Sequence, residues 1–439
     1  MNIFYRLYCD LQTVVARVLL YLGALAKWLF VSSMIGILCG ALGTAFHIGV
    51  DKVTEYRTVY PWFLWLLPAA GVLIVLIYRL FRVEGQSTNN IISEVQSGNG
   101  LKIALIPSIF FSTILTHLCG GSAGREGAAL QMGGTIGFEV GKVLRLDDRD
   151  LRTATLAGMA AFFSALFGTP LAASIFAMAV ISVGLLYHAA LIPCLVSSLA
   201  AYWVSLLLGV PPTRFTVAAP APEFFMFLKI AALASLCAIV SGFFCRILHF
   251  TEHLLQNRIK NSYVRIIAGG TVIVLLSLLF PGGEYNGAGT AVIAHAVEDG
   301  QAPAWGFLLK ILFTSLTLAA GFKGGEVVPC FFIGACFGCV TGPLLGIPAG
   351  FAAAIGMISV FCGAVNCPVA SVFLATEIFG AGGLLYFALA CALSFVLSGY
   401  TGLYSTQRIL YDKLKAQYID VRTNAYHEGE HTPMELKYR

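Results

Sequence analysis

The chain has 439 residues, 58% of them hydrophobic and 11% charged, with a formal net charge of +5 and a mean hydropathy of +0.84. A soluble protein of this length cannot hide so much apolar surface in its own core, so the bilayer must be its solvent. The positive residues gather at segment ends, as Lys142, Arg145, Arg149 and Arg152 do, or Arg258, Lys260 and Arg265, which marks loop topology and excludes a nucleic-acid-binding patch.

In chain order, residues 1–26 start with mixed polarity and lack the apolar run and small-residue cleavage site of a signal peptide, so they are expected to form a cytoplasmic or interfacial segment. Apolar stretches at 28–50, 61–81, 186–208, 224–248 and 266–280 are expected to lie in the hydrocarbon layer. The other apolar runs are shorter and interrupted by glycine. With 46 glycines and 16 prolines, the membrane domain should contain tilted, short or broken helices packed closely backbone to backbone. The twelve cysteines lie almost entirely in apolar segments, as Cys237, Cys336 and Cys362 do, and without ligand spacing they read as small hydrophobes. Residues 209–224, with Pro211, Pro212, Pro220 and Pro222, suit a linker. Residues 407–439 mix Lys413, Lys415 and Arg422 with Asp412, Asp420, Glu428 and Glu430 and are expected to form a short, solvated cytoplasmic tail.

An internal repeat organises these pieces. GSAGREG at 121–127 recurs as GFKGGEV at 321–327, an offset of 200 that Gly134 and Gly334 keep. Downstream, GMAAFF and PLAAS, beginning at Gly158 and Pro170, recur as GMISVF and PVAS at Gly356 and Pro368, an offset of 198. Residues 84–90 and 284–290 form a weaker third pair. Such repetition in a membrane protein predicts two inverted-topology halves, 27–208 and 225–406, meeting at a midplane site marked by the paired glycine-bearing breaks.

Each break lets the backbone leave helical geometry, and the restarting helix presents unpaired N–H groups and a positive dipole end. Gly124, Arg125 and Gly127 in one half, and Gly324 and Gly325 in the other, thus suit an anion held by partial charges rather than by a full cation. Glu126 sits where an anion would, so it can compete with the ion when charged and vacate when protonated, as a gate and proton carrier. Glu326 is expected at the same place in the second repeat, where two converging carboxylates link anion to proton occupancy. The bland alternatives are a Glu126 held by Arg125 and a Glu326 capping its helix beside Lys323. Tyr404 offers a hydroxyl to the ion.

At these residues the chain resembles the CLC family of chloride channels and proton-coupled anion antiporters. GREGAALQMGG from Gly124 is similar to its GREGP segment with the following glutamine and glycines, departing at Ala128; residues 158–175 are similar to its next helix pair; and Gly402, Leu403, Tyr404 and Ser405 are similar to its last helix start. GFKGGEVVP from Gly321 resembles the GFKGGEVTP of the fluoride-selective bacterial subgroup, with Val328 for threonine. The chloride branch usually carries phenylalanine at Val327 and isoleucine at Glu326. Its GSGIP segment is replaced here by Gly85, Gln86, Ser87, Thr88, Asn89 and Asn90, and its internal proton glutamate is missing from the stretch holding Ala179 and Val180. The resemblance implies an all-α, multi-pass homodimer with one pathway per subunit, exporting fluoride against protons across the bacterial inner membrane. Glu126 is its gate, and Glu326 and Tyr404 lie near the ion. The amides of Gln86, Asn89 and Asn90, with Ser87, Val327 and Val328, are expected along its path, replacing fluoride's tightly held water.

A chloride channel or chloride/proton antiporter of the same fold is the alternative. An enzyme is disfavoured by the absence of nucleophile motifs and of metal-ligand spacing among histidines such as His117, His188 and His295. No cofactor or metal is expected, and the partners are fluoride or chloride, protons, lipid and a second copy of the chain.

Overall fold

The structure, a computed structural model, describes residues 2–98, 100–415 and 417–424, with side chains from Val14 onward. The first half contains α1 (Asn2–Val59), α2 (Leu67–Leu80), α3 (Thr88–Ser97), α4 (Leu105–Leu118), α5 (Glu126–Val143), α6 (Asp148–Phe167), α7 (Pro170–Ala179) and α8 (Leu191–Leu207). The second contains α9 (Phe224–Arg258), α10 (Ser262–Leu279), α11 (Thr290–Ala294), α12 (Gly306–Ala320), α13 (Val327–Thr341), α14 (Ala349–Val365), α15 (Pro368–Phe379) and α16 (Leu384–Leu397). Helix for helix the halves correspond, and residues 210–223 join them without regular secondary structure. Among the described residues, six helices are long and apolar enough to cross a membrane, while α4, α7, α12, α14, α15 and α16 belong to shorter apolar helices. Short helices at membrane depth are tolerated because protein, rather than lipid, surrounds their ends.

Equivalent helices meet each other, α2 on α10 and α7 on α15, as a twofold axis between the halves requires. On that axis Gly124 and Gly325 form a reciprocal antiparallel bridge, each N–H donating to the other's carbonyl at 2.7 and 2.8 Å. The Lys323 N–H donates to Thr116 Oγ1 at 3.3 Å, and the Ser122 N–H donates to Thr317 Oγ1 at 3.1 Å. All three matched pairs, 124/325, 116/317 and 122/323, differ by 201, not 200.

The same register governs helix packing. A Cβ on Gly158 would lie 2.0 Å from the Gly133 carbonyl oxygen, and one on Gly356 would lie 2.2 Å from that of Gly334. Gly334 therefore pairs structurally with Gly133, and Gly134, its partner by sequence, faces Ile91 and Met159 instead. Such approaches place α5 against α6 and α13 against α14 with backbones in contact, which only glycine allows. Aromatic rings seal the halves together, with Phe331 edge-on to Phe167 at 6.0 Å and to Phe361 at 5.1 Å, and Phe361 tilted against Phe176 at 5.9 Å.

Three expectations about the chain ends change. Helix α1 runs unbroken through the expected boundary at 26/27. No helix starts at Tyr404; the chain there turns into β2 (Arg408–Tyr411), which pairs with β1 (Ser182–Val183) and with β3 (Tyr418–Arg422). Alternating side chains and a turn at Asp412 favour the hairpin, and Thr423 Oγ1 fixes it by donating to the Tyr404 carbonyl at 2.6 Å. The start of the tail is accordingly docked rather than solvated: Gln407 is fully buried and donates to the carbonyls of Val180 and Val365. Glu428 and Glu430 lie outside the described residues.

Candidate functional site

The two glycine-bearing breaks deliver α5 and α13 head to head, and the one-residue difference in register decides what each glutamate does. Glu126 is the first residue of α5, whereas Glu326 precedes α13 as its N-cap. In the twofold frame Glu126 corresponds to Val327, and Glu326 to Arg125. The sequence expectation of matching positions is therefore corrected: both carboxylates lie at the meeting of the helices, but they leave the chain one residue apart and point differently, since successive residues diverge by about 100° around a helix.

Glu126 is fully buried. Its Oε2 accepts from the Arg125 N–H at 3.0 Å and, across the axis, from the Val328 N–H at 3.2 Å. The carboxylate thus occupies the N-terminus of the opposite half's helix, the position an anion would take. Its Oε1 is buried with no protein partner. Arg125 does not hold it: the guanidinium turns to Asp51 on α1 at 2.8 Å, and Asp51 also meets His47 at 2.9 Å. A Cβ on Gly124 would fall 2.3 Å from Glu126 Oε2 and displace the carboxylate, and Gly325 is required because one there would fall 2.5 Å from the Gly127 N. Gly324 leaves room for Ala123.

Glu326 turns its Oε2 toward the start of α5, where a Cβ on Gly127 would be 3.2 Å away, and that oxygen is buried without a protein partner. Lys323 does not pair with it; the ammonium lies over the Tyr78 ring at 4.4 Å. Tyr404 is 1% exposed, and its hydroxyl is likewise unpartnered. Tyr404 and Glu326 share the wall of a cavity of about 130 Å³ with Gln86, Ser87 and Asn89. Leaving such groups unsatisfied costs on the order of 1–3 kcal/mol each, so the cavity is built for a small polar occupant.

Asn90 is not in that wall. It is spent on the cap of α3, its Oδ1 accepting from the Ser87 N–H at 2.8 Å and the Ser87 hydroxyl at 3.2 Å. Asn89 lines the wall, and its Oδ1 holds the Thr406 N–H at 3.3 Å and hydroxyl at 3.1 Å, tying the first break to the Tyr404 segment. Val327 and Val328 are buried, and Val328 contributes its N–H rather than its side chain. Gln131 and Thr88 are among the wall residues that the sequence reading of the site does not include. Gln131 donates to Thr88 Oγ1 at 3.2 Å, and Thr88 donates to the Gly127 carbonyl at 3.4 Å; their signal was present, since both lie within the motif stretches. Just before the first break, Asn286 Nδ2 donates to the Gly120 carbonyl at 2.7 Å and the Gly287 N–H donates to that of Gly121 at 3.0 Å.

Residues 70–399 match the family described as voltage gated chloride channel. A "Chloride/fluoride channel protein" of Pseudomonas syringae pv. tomato is 34% identical over 398 residues, covering 89% of this chain and 88% of its own. An "H(+)/Cl(-) exchange transporter ClcA" of Vibrio cholerae is 27% identical over 80% of this chain and 81% of its own. Among solved structures, one described as a CLC-type fluoride/proton antiporter superposes with a TM-score of 0.84 at 33% identity, covering 87% of this chain and 98% of that one. A slow cyanobacterial Cl−/H+ antiporter, at 19% identity, covers 85% of this chain and 94% of its own with a TM-score of 0.71, a likeness of fold.

Proposed function

The chain belongs to the voltage-gated chloride channel family, and we propose that it is a secondary transporter exporting fluoride in exchange for protons across the bacterial inner membrane. The observation that carries this reading is the Glu126 carboxylate on the Val328 N–H at 3.2 Å. An ionised Glu126 and a bound anion claim the same N–H groups, so they exclude each other. Protonation weakens the glutamate's hold and opens the place to the ion, which links one proton to one change of occupancy.

Fluoride is favoured over chloride by the donors and by the second carboxylate. Fluoride accepts strong, short hydrogen bonds and parts reluctantly with water, so it needs hard donors to replace hydration. The Tyr404 hydroxyl, the Gln86 amide, the helix N–H groups and a protonated Glu326 are such donors. The similarity to the two relatives described with fluoride supports the same choice.

Orientation follows from charge. Lys27 on α1 pairs with Asp150 beside the loop carrying Lys142, Arg145 and Arg149, so α1 starts on that face. The linker, bonded through the Thr213 N–H to the Phe167 carbonyl at 2.9 Å, lies at the other face. Helix α9 therefore ends, with Arg258, Lys260 and Arg265, on the first face, and the positive-inside rule assigns it to the cytoplasm. The family resemblance supports a homodimer with one pathway in each subunit.

Liposomes loaded with fluoride and carrying the purified protein test the reading. Fluoride efflux on an ion-selective electrode should be accompanied by uphill proton entry, and paired chloride-loaded vesicles should empty far more slowly. Fluoride efflux without proton movement would remove the exchange. Equal or faster chloride efflux would favour a chloride transporter.

A further inference from the structure

The buried site connects to water by a route that the gate alone does not explain. The cavity of about 130 Å³ beneath Glu326 and Tyr404 continues into an outer one of about 320 Å³, and Glu252, Lys323, Gln86 and Ser87 line both. Glu252 lies near the end of α9, is exposed at the surface, and accepts from Gln256 Nε2 at 3.0 Å. It shares the wall of both cavities with Lys323 and that of the inner one with Glu326. The inner cavity alone has room for about four waters at their share of liquid volume.

We propose that Glu252 is the cytoplasmic proton port of this transporter, exchanging protons between bulk water and Glu326 through the water-filled cavity that the anion also uses. The inference rests on the exchange reading above and extends it to the route on one side. In the release direction, protonated Glu326 gives its proton to the cavity's water chain and becomes a carboxylate. The chain gives a proton to the Glu252 carboxylate, which becomes the acid and then loses that proton to bulk water. No charge is created or lost overall, and uptake is the reverse.

Geometry favours this residue over its neighbours. Glu84 also reaches the outer cavity, but it pairs with Arg79 at 3.4 Å. His249 lines the inner cavity, yet its Nε2 is engaged by the Gly402 carbonyl at 2.9 Å and Asn424 Nδ2 at 3.1 Å. The charged groups facing Glu252 are Lys323, Arg79 and Glu84, with Arg265 on α10 and Glu326 at the cavity's inner end. Lys323 stands at the junction of the two cavities, with no salt bridge to a carboxylate among the described residues. It attracts the anion into the same passage.

The test uses the full-length protein in liposomes, with fluoride and proton fluxes recorded together. Glu252→Gln should slow both fluxes with their ratio unchanged. The expected loss is roughly tenfold, less than the ~10²-fold of an obligatory general acid, because water still reaches the cavity. Glu252→Asp should retain most of the rate. A small membrane-impermeant buffer on the cytoplasmic face should restore the Glu252→Gln variant, and calorimetric titration should show unchanged fluoride binding. Wild-type rates for Glu252→Gln between pH 5.5 and 8, loss of fluoride binding, or a defect that buffer does not relieve would each overturn the proposal. If the wild-type protein moves fluoride without protons, the exchange reading itself fails, whichever way the variant behaves.

Discussion

Replacing Glu126 by glutamine keeps the shape of the gate and removes its charge. In the structure the carboxylate accepts two N–H bonds, from Arg125 at 3.0 Å and Val328 at 3.2 Å. Hydrogen bonds to an ionised group contribute about 1.5–3 kcal/mol and neutral ones about 0.5–1.5, so the substitution weakens the gate's hold by about 1 kcal/mol per bond. Two bonds give about 2 kcal/mol, or roughly a 30-fold advantage to a competing anion. Fluoride titrated calorimetrically into purified Glu126→Gln should therefore bind roughly 30-fold more tightly than to wild type at a pH where Glu126 is ionised, and the difference should shrink as pH falls. The same variant in liposomes should move no protons. An affinity within about threefold of wild type, together with intact proton coupling, would refute the competition between carboxylate and anion.

Other perturbations follow from the same geometry. Gly158→Ala would set a methyl 2.0 Å from the Gly133 carbonyl, forcing α5 and α6 apart. We expect a loss of about 3 kcal/mol or more, at the upper end for overpacking, read as a lowered thermal midpoint in detergent. Gly23→Ala meets nothing within 4 Å and should raise that midpoint slightly. Asn89→Ala removes the acceptor of the Thr406 N–H and one of the two acceptors of its hydroxyl, the Asn89 carbonyl remaining, so hydrogen exchange should quicken in the Tyr404 segment, and unchanged protection there would count against the tie. Burial of Lys413 in the hairpin lowers its pKa from 10.5 to about 8. The unfolded hairpin binds more protons between those values, so the stability linked to this group rises from pH 8 to 10.5 and falls as pH drops through 8. Limited proteolysis of the tail should slow over that rise, and Lys413→Met should flatten the dependence.

Much of the fold was legible because glycine and proline mark places where the backbone itself is constrained. Gly158 and Gly356, or Pro170 and Pro368, stand where two helices touch or one begins, and they revealed the repeat. The glutamates were legible because a carboxylate within an apolar segment is costly wherever it is placed. The register was not. Sequence alignment favours glutamate over glutamate at an offset of 200, whereas the main-chain bridge between Gly124 and Gly325 obeys 201, and identical residues conceal a shift that only backbone pairing reveals. Asn90 was misjudged because a short amide serves a helix cap and an ion equally well, and sequence does not say which. Glu252 escaped notice because a charge in the last turns of a helix reads as ordinary solvation until the cavity behind it is seen. The hairpin after Tyr404 was missed because its burial depends on β1 and on the Val180 carbonyl, 227 residues upstream of Gln407.

The one-residue slip also gives the molecule a front and a back. Turning it half a circle about the axis restores the paired bonds of Gly124 with Gly325 and of Ser122 and Lys323 with their threonines, yet it exchanges Glu326, in the cavity wall, for Arg125, whose guanidinium is braced by Asp51. Vesicles that take up the protein in both directions would thus hold two unlike populations, and a thiol reagent applied from outside to a cysteine introduced at Gln86 would silence only one of them. The fraction silenced would count the molecules facing each way.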